Sequence, residues 1–401
     1  MKTKYQVNFN RKMAALYFLI LLLACSYTFA ATVYTKQAGT FEQCKSAAGA
    51  IKYHCIPSTG CKADTLKCVP PIIVPPVPIC TPPSVLNVAS NNCETPPPPA
   101  PPPSGSLMPA VDISKNMTPV TGESVLKIFP TNEKPSAGDN GGGQFRIFCQ
   151  ASHMSNDDPI VYPNQQGASH HHTFFGNTSV DYKTNPGTIG NMGNSTCKGG
   201  IMNRSGYWVP SMIDTSTNKP IAPEYVIVYY KTDAPSKVTV PPKGLRMIAG
   251  NSKSIVPQKE GLVRFTCNED YNTRKLNIPA CKKGDTVESL LSFPNCWDGK
   301  NLDSPDHKSH MAYSNGTCPT THPVRIPEIT FNLRYLANTD AGTRNWRLAS
   351  DNYAGGTGGN SWHGDWMNGW DETFLTGIVN NCLKKAVDCH AHLLGDGRMF
   401  D

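Results

Sequence analysis

From about Leu107 onward the chain is a succession of short apolar runs separated by Gly, Pro, Asn and Asp turns, which is the pattern of an all-β domain. The clearest strands are Phe145 to Cys149, Tyr225 to Lys231, Val263 to Cys267 and Ile329 to Leu336. The last sets Ile329, Phe331, Leu333 and Tyr335 on one face and polar residues on the other, the two-residue period of a half-buried sheet. Near the C-terminus the period changes. Asp371-Glu-Thr can start a helix, and Phe374, Leu375, Ile378, Val379, Cys382, Leu383 and Ala386 follow at helical spacing to about Val387. The pattern predicts a mainly β fold over 107–401, a sandwich or jelly roll with long loops and one C-terminal helix, preceded by a small disulfide-rich segment.

Upstream the texture differs. Lys2, Lys4, Arg11 and Lys12 precede the apolar run Met13 to Ala24, the order of a secretory signal over 1–30 with cleavage after Ala30. In the alternative, Leu22-Leu-Ala-Cys25 serves as a lipobox and Cys25 carries a lipid anchor. The run is too short for a membrane span, so the chain is expected to be secreted or extracellular. Six cysteines in 31–94 with few large apolar residues predict a cross-linked module, a loosely folded region being the alternative, and a proline-rich spacer over 95–106 follows as a tether.

With Cys25 either removed or lipidated, fourteen of the fifteen cysteines are left to pair, an even number suited to disulfides in an oxidising compartment. Cys296 and Cys318 bracket a loop and can pin its ends, and Cys382 and Cys389 can pair locally or tie the C-terminus elsewhere. Loss of the signal removes four basic and no acidic residues, taking the formal charge from +7 to +3. No basic run interleaved with aromatics marks a nucleic-acid surface. The glycine-rich stretches lack the strand-to-helix context of a phosphate cradle, which argues against nucleotide binding.

Three segments carry the chemistry. One is Cys296-Trp-Asp-Gly-Lys-Asn-Leu-Asp-Ser-Pro-Asp-His-Lys-Ser-His-Met-Ala-Tyr313, with two histidines and three aspartates in eighteen residues. The others are Ser169-His-His-His-Thr-Phe-Phe-Gly-Asn177 and Trp362-His-Gly-Asp-Trp-Met-Asn-Gly-Trp370. On a strand, His170 and His172 share a face, and His363 with Asp365 repeats that geometry, so His170, His172 and His363 are candidate ligands for a divalent metal such as zinc. His307 or His310 would complete the set. In a metal-free alternative, Asp306, His307 and His310 act with His170, His172, His363 and Asp365 as acids and bases. His171 is expected to be exposed. Phe175, Tyr207, Trp208, Trp297 and Trp370 are candidate sugar-stacking groups, Tyr313 a candidate substrate contact and partner to the histidines, Asn177 and Asn368 candidate partners for sugar hydroxyls, and Arg246 and Lys308 candidate partners for a substrate anion. For each the structural alternative is core packing, turn formation or an internal salt bridge.

The three segments, with Gly244-Leu-Arg-Met-Ile-Ala-Gly-Asn251 and His322-Pro-Val-Arg-Ile-Pro-Glu-Ile329, resemble a family of secreted fungal and bacterial proteins catalogued as a domain of unknown function, over roughly Phe145 to Cys389. In fungi such domains often accompany cell-wall-sensor (WSC) domains thought to bind glycans. The resemblance therefore implies an extracellular role directed at polysaccharide or cell-wall glycan, and it supplies no reaction. The residues suit hydrolysis or β-elimination at a His/Asp/aromatic cleft. The alternative is a non-catalytic glycan-binding or surface-interaction protein.

Overall fold

The chain falls into two compact units, Met1–Pro96 and Pro97–Asp401. The computed structural model describes residues 111–112, 117–351 and 358–401, together with the backbone of five short strands in the first unit. Those strands form a three-stranded antiparallel sheet, with Glu42–Ser46 between Ile51–Cys55 and Leu66–Val69, and a hairpin of Val85–Asn87 with Asn92–Glu94. The signal segment, the cysteine pairing of the first module and the proline spacer lie outside the described residues.

The second unit is mainly β. Ten strands make its two principal sheets: β1 (Gly143–Cys149), β2 (Ala151–Ser155), β3 (His172–Gly176), β4 (Gly206–Pro210), β5 (Tyr225–Thr232), β6 (Arg246–Gly250), β7 (Val263–Cys267), β8 (Thr286–Ser292), β9 (Glu328–Leu336) and β10 (His363–Met367). The larger sheet runs β7-β8-β9-β5-β1 and is extended by the short strands Val387–Asp388 and Ser136–Ala137; the smaller runs β6-β10-β4-β3-β2. Pairing within both sets of principal strands is antiparallel.

The sheets pack face to face as a sandwich. Ile329, Phe331, Leu333 and Tyr335 all point inward and are buried, as their alternation predicts. Tyr207 of the smaller sheet meets Phe331 of the larger edge-on at 5.6 Å, and its hydroxyl hydrogen-bonds that of Tyr230 at 2.8 Å. Burying an aromatic or branched side chain in such an interior contributes about 1.5–3 kcal/mol. Gly364 lets the sheets approach: a Cβ there would lie 2.8 Å from Leu291 Cδ2 and 3.2 Å from Val209 Cγ1.

The helix is shorter than its apolar period predicts. Asp371 caps α1 (Glu372–Ile378) by accepting from the Thr373 and Phe374 amides, and a single π-helical turn over Val379–Leu383 follows. Ala386 then turns into the left-handed region at φ 54°, and Val387–Asp388 joins the larger sheet, so the apolar period outlasts the helix. Four disulfides cross-link this unit: Cys149–Cys197, Cys267–Cys281, Cys296–Cys318 and Cys382–Cys389. The second closes the loop after β7, and the local option holds for the last. Among the described residues no helix is long and apolar enough to cross a membrane.

Candidate metal centre on the outer face of the smaller sheet

Register dictates which side chains share the outer face of the smaller sheet. Phe174 pairs with Trp208, and Trp208 pairs with Asp365, so these three point the same way. His172 and His363 lie two residues from Phe174 and Asp365 on their strands and join the same face. All five residues of β3, β4 and β10 are buried, because loops roof this face as the larger sheet covers the other. His170 precedes β3 rather than lying on it. The loop before it is folded back by paired bonds, Ser169 N to Asn156 O at 2.9 Å and Asn156 Nδ2 to Ser169 O at 3.1 Å. That fold also delivers Asp158.

The outcome is a buried cluster of five potential ligands. His170, His172 and His363 offer nitrogens within 4.8 Å of one another, and Asp158, His172 and Asp365 offer a second set under the same limit. Ring centroids lie 4.2 Å apart for His170 and His172, 4.9 Å for His170 and His363, and 5.9 Å for His172 and His363. His172 Nδ1 donates to Asp157 O at 3.0 Å, and His363 Nδ1 donates to Ser361 O at 2.7 Å. A carbonyl can only accept, so in each neutral ring the lone pair is left on Nε2, and this is how metal-binding imidazoles are commonly oriented. His172 Nε2, His170 Nε2 and both carboxylate oxygens of Asp365 are buried without a hydrogen-bond partner.

Electrostatics follow from this crowding. Burial first, then the neighbouring imidazoles, holds His170 well below its ordinary range; burial likewise lowers His172 strongly and His363 to about 4. Burial pushes Asp158 up to about 6, although its Oδ1 accepts from the amides of Ile160 and Val161. Asp365 is raised well above the carboxylate range by burial and then by Asp158, with Lys308 opposing. Neutral imidazoles and carboxyls whose ionisation burial opposes therefore crowd into two triads that share His172, and a cation held by either would relieve the crowding. Three imidazoles and a carboxylate fit a divalent first-row ion such as zinc.

The disulfide-pinned loop supplies the rim. Cys296–Trp297 pairs with Met311–Ala312 and Val324–Arg325, and the intervening residues reach to β6. Lys308 Nζ donates to Gly250 O at 2.6 Å, His310 Nε2 bonds Arg246 O at 2.7 Å, and Arg246 Nη2 pairs with Asp303 Oδ2 at 3.2 Å. Gly250 takes φ 76° beside His363, where a Cβ would lie 2.3 Å from Trp362 O. His307, at φ 58°, is held by Asp303 through Nδ1 at 2.9 Å. A non-glycine residue in that region carries backbone strain, which functional loops often store.

Several expected site residues serve other ends. His310 is bonded through both nitrogens, to Arg246 O and to Ser304 Oγ, and is outside the ligand cluster with His307. Asp306 accepts from the Ser309 and Lys308 amides and from the hydroxyls of Ser304 and Ser309; these bonds hold its carboxyl well below the usual range and make it a turn-former rather than an acid or base. His171 is not exposed: it is buried, with Nδ1 2.8 Å from Ser211 Oγ. Phe175 and Tyr207 lie between the sheets, and Trp370 donates to Tyr230 Oη at 2.9 Å in the same core. Trp208 is buried beneath the cluster, stacked on Phe174 at 5.6 Å. Asn177 and Asn368 are buried and donate to main-chain carbonyls, Asn177 to those of Ile189, Met192 and Arg204 and Asn368 to those of Pro241 and Pro242. Complete desolvation removes these six from contact with a glycan. Trp297 and Tyr313 retain exposure while bonding Asn301 O and Ser292 O. A surface cleft of about 600 Å³ lined by Glu123, Lys127, Lys198 and Glu224 contains none of the cluster.

Two contributors escape a reading of the sequence. Asp158 belongs to an ordinary-looking Asp-Asp-Pro turn, whose acidic pair before a histidine run is its only signal. Asp351 is buried and accepts from the amides of Leu348, Gly359 and Ser361, which fixes the segment presenting His363. A family model described as a domain of unknown function (DUF1996) matches residues 158–370, a span that includes all five cluster residues. No curated protein and no solved structure matches the chain.

Proposed function

The chain belongs to the DUF1996 family, whose description carries no reaction, and we propose that it is a metal-dependent enzyme that cleaves an extracellular polysaccharide by hydrolysis or β-elimination. The observation that carries this reading is the set of buried polar atoms without a hydrogen-bond partner, His170 Nε2, His172 Nε2 and both oxygens of Asp365, beside His363 in its ligand tautomer. Such atoms cost about 1–3 kcal/mol each when unsatisfied, more if charged, and coordination removes that cost. A bound ion would supply Lewis acidity at a sugar or water oxygen. In this reading His170, His172, His363 and Asp365 hold the ion and Asp158 stands beside it to accept or return a proton. Lys308 lies at the rim.

Export from the cell is part of the proposal, supported by the leading basic-then-apolar segment and by the four disulfides. The non-catalytic alternative needs an aromatic platform, and the buried positions of Phe175, Tyr207, Trp208 and Trp370 count against one. The test combines metal analysis with a panel of wall polysaccharides. Protein purified without chelator should carry close to one equivalent of a first-row ion, and His172→Ala should lose both the ion and all cleavage. Metal-free protein that resists reconstitution with zinc, manganese or iron, or full activity of His172→Ala, would sink the proposal.

A further inference from the structure

The rim of the cluster carries a charge that the cluster does not need. If the metal reading above holds, a divalent ion is balanced by Asp158 and Asp365 while the three imidazoles stay neutral. Lys308 is then left over. Its ammonium reaches Gly250, the strand partner of His363, which sets it beside the cluster. One of its three donor hydrogens is committed to Gly250 O, which ties the amine to the strand end opposite His363 and leaves two donors free.

Of the other charged groups nearby, Asp303 is shared between Arg246 and His307. Asp306 turns its Oδ1 to Ser304, Ser309 and the Lys308 amide, and its charge acts on the Lys308 ammonium without taking up the two spare donors. The side chain of Lys308 is otherwise exposed. A fixed ammonium with spare donors beside a neutralised metal centre is a receptor for an anion, and lysine acts there as a point charge.

We infer that Lys308 is a specificity-determining residue and that the polymer handled at this site is acidic, bearing carboxylate or sulfate groups on its sugars. The inference rests on the metal reading, and its test keeps the two apart. Zinc-loaded protein, its metal content measured, is titrated with oligogalacturonate, with a sulfated oligosaccharide and with a neutral cello-oligosaccharide of equal length. At least one anionic oligosaccharide should bind roughly tenfold more tightly than the neutral one, and Lys308→Gln should lose roughly that factor while Lys308→Arg recovers part of it. Which anionic arm responds identifies the group. Binding should weaken as salt rises.

Metal content and melting temperature of Lys308→Gln should match the parent protein. Equal binding of neutral and acidic oligosaccharides, or no effect of Lys308→Gln on the preference, overturns the inference. Loss of metal in Lys308→Gln overturns it as well, by showing that the amine supports the site rather than the substrate. Failure of the parent protein to take up an ion at all overturns the metal reading and is scored before any oligosaccharide is added.

Discussion

Asp365→Asn should stabilise the metal-free protein and blunt its stabilisation by metal. In the metal-free protein Asp365 is 1% exposed, both its oxygens are unpartnered, and its neighbours Asp158 and His172 Nε2 are acceptors. Burial holds the Asp365 carboxyl well above the usual range and so opposes its ionisation; an asparagine of the same shape has no ionised form to bury and brings an NH₂ that can donate to those acceptors. Relieving one buried unsatisfied polar group is worth about 1–3 kcal/mol, so in chelator the variant should be more stable than the parent. In a domain of this size each kcal/mol moves the melting temperature by roughly 2–4 °C. With ion present that advantage shrinks or is lost. At a free zinc concentration 100 times the parent's Kd, the parent gains about 2.7 kcal/mol. If losing the carboxylate weakens binding by roughly 100-fold, the variant gains only about 0.4 kcal/mol under the same conditions. Differential scanning fluorimetry in chelator and in buffered zinc, with metal counted by mass spectrometry, measures both arms. A variant less stable than the parent in chelator, with an undiminished zinc-dependent shift, would refute the assignment of Asp365 as a ligand.

Two further outcomes are expected. Replacing Cys296 and Cys318 by serine opens a loop closed across a sequence separation of 22 and should cost about 3 kcal/mol, read by denaturant unfolding; because Asp303 and His310 of that loop dock on Arg246, in the strand beside His363, metal affinity should fall too, and unchanged stability would show that the loop is held by its docking contacts alone. Burial lowers the pKa of His153, which stacks on Phe174 at 4.6 Å; with a folded pKa below the ordinary value of 6.5, its contribution to stability is present above that value and lost as pH falls below it. Melting temperatures taken from pH 7.5 to 5 should therefore fall less steeply for His153→Gln than for the parent, and parallel slopes would remove His153 as a cause.

The parts of this fold that are legible in sequence are those where one face meets water. β9 alternates because its outer residues are solvated, so Ile329, Phe331, Leu333 and Tyr335 announce the core. The Asp371 cap announces the helix in the same local way. The smaller sheet gives no such signal. Its central strands are buried on both faces, so Trp208 under the imidazoles reads like Tyr207 between the sheets, and burial rather than residue type decides that neither meets a sugar. The two-residue spacing of His363 and Asp365 was readable, and that of His170 and His172 correctly joined them although the strand begins only at His172.

Asp158 was not readable because it reaches the cluster through the tertiary return of its loop. The paired Ser169 and Asn156 bonds make that return, and disulfides enclose it. Cys149–Cys197 closes the segment that contains Asp158, His170 and His172, and Cys296–Cys318 closes the loop that brings Lys308 to Gly250. Polar roofing loops bury too little apolar surface to hold mutually repelling carboxylates beneath them. Cross-links limit the loops' freedom to open, and an ion turns the repulsion they enclose into attraction. Site and disulfides therefore belong to one design: the same two bonds restrain the loops that bring Asp158, His170, His172 and Lys308 to the strand that carries His363 and Asp365.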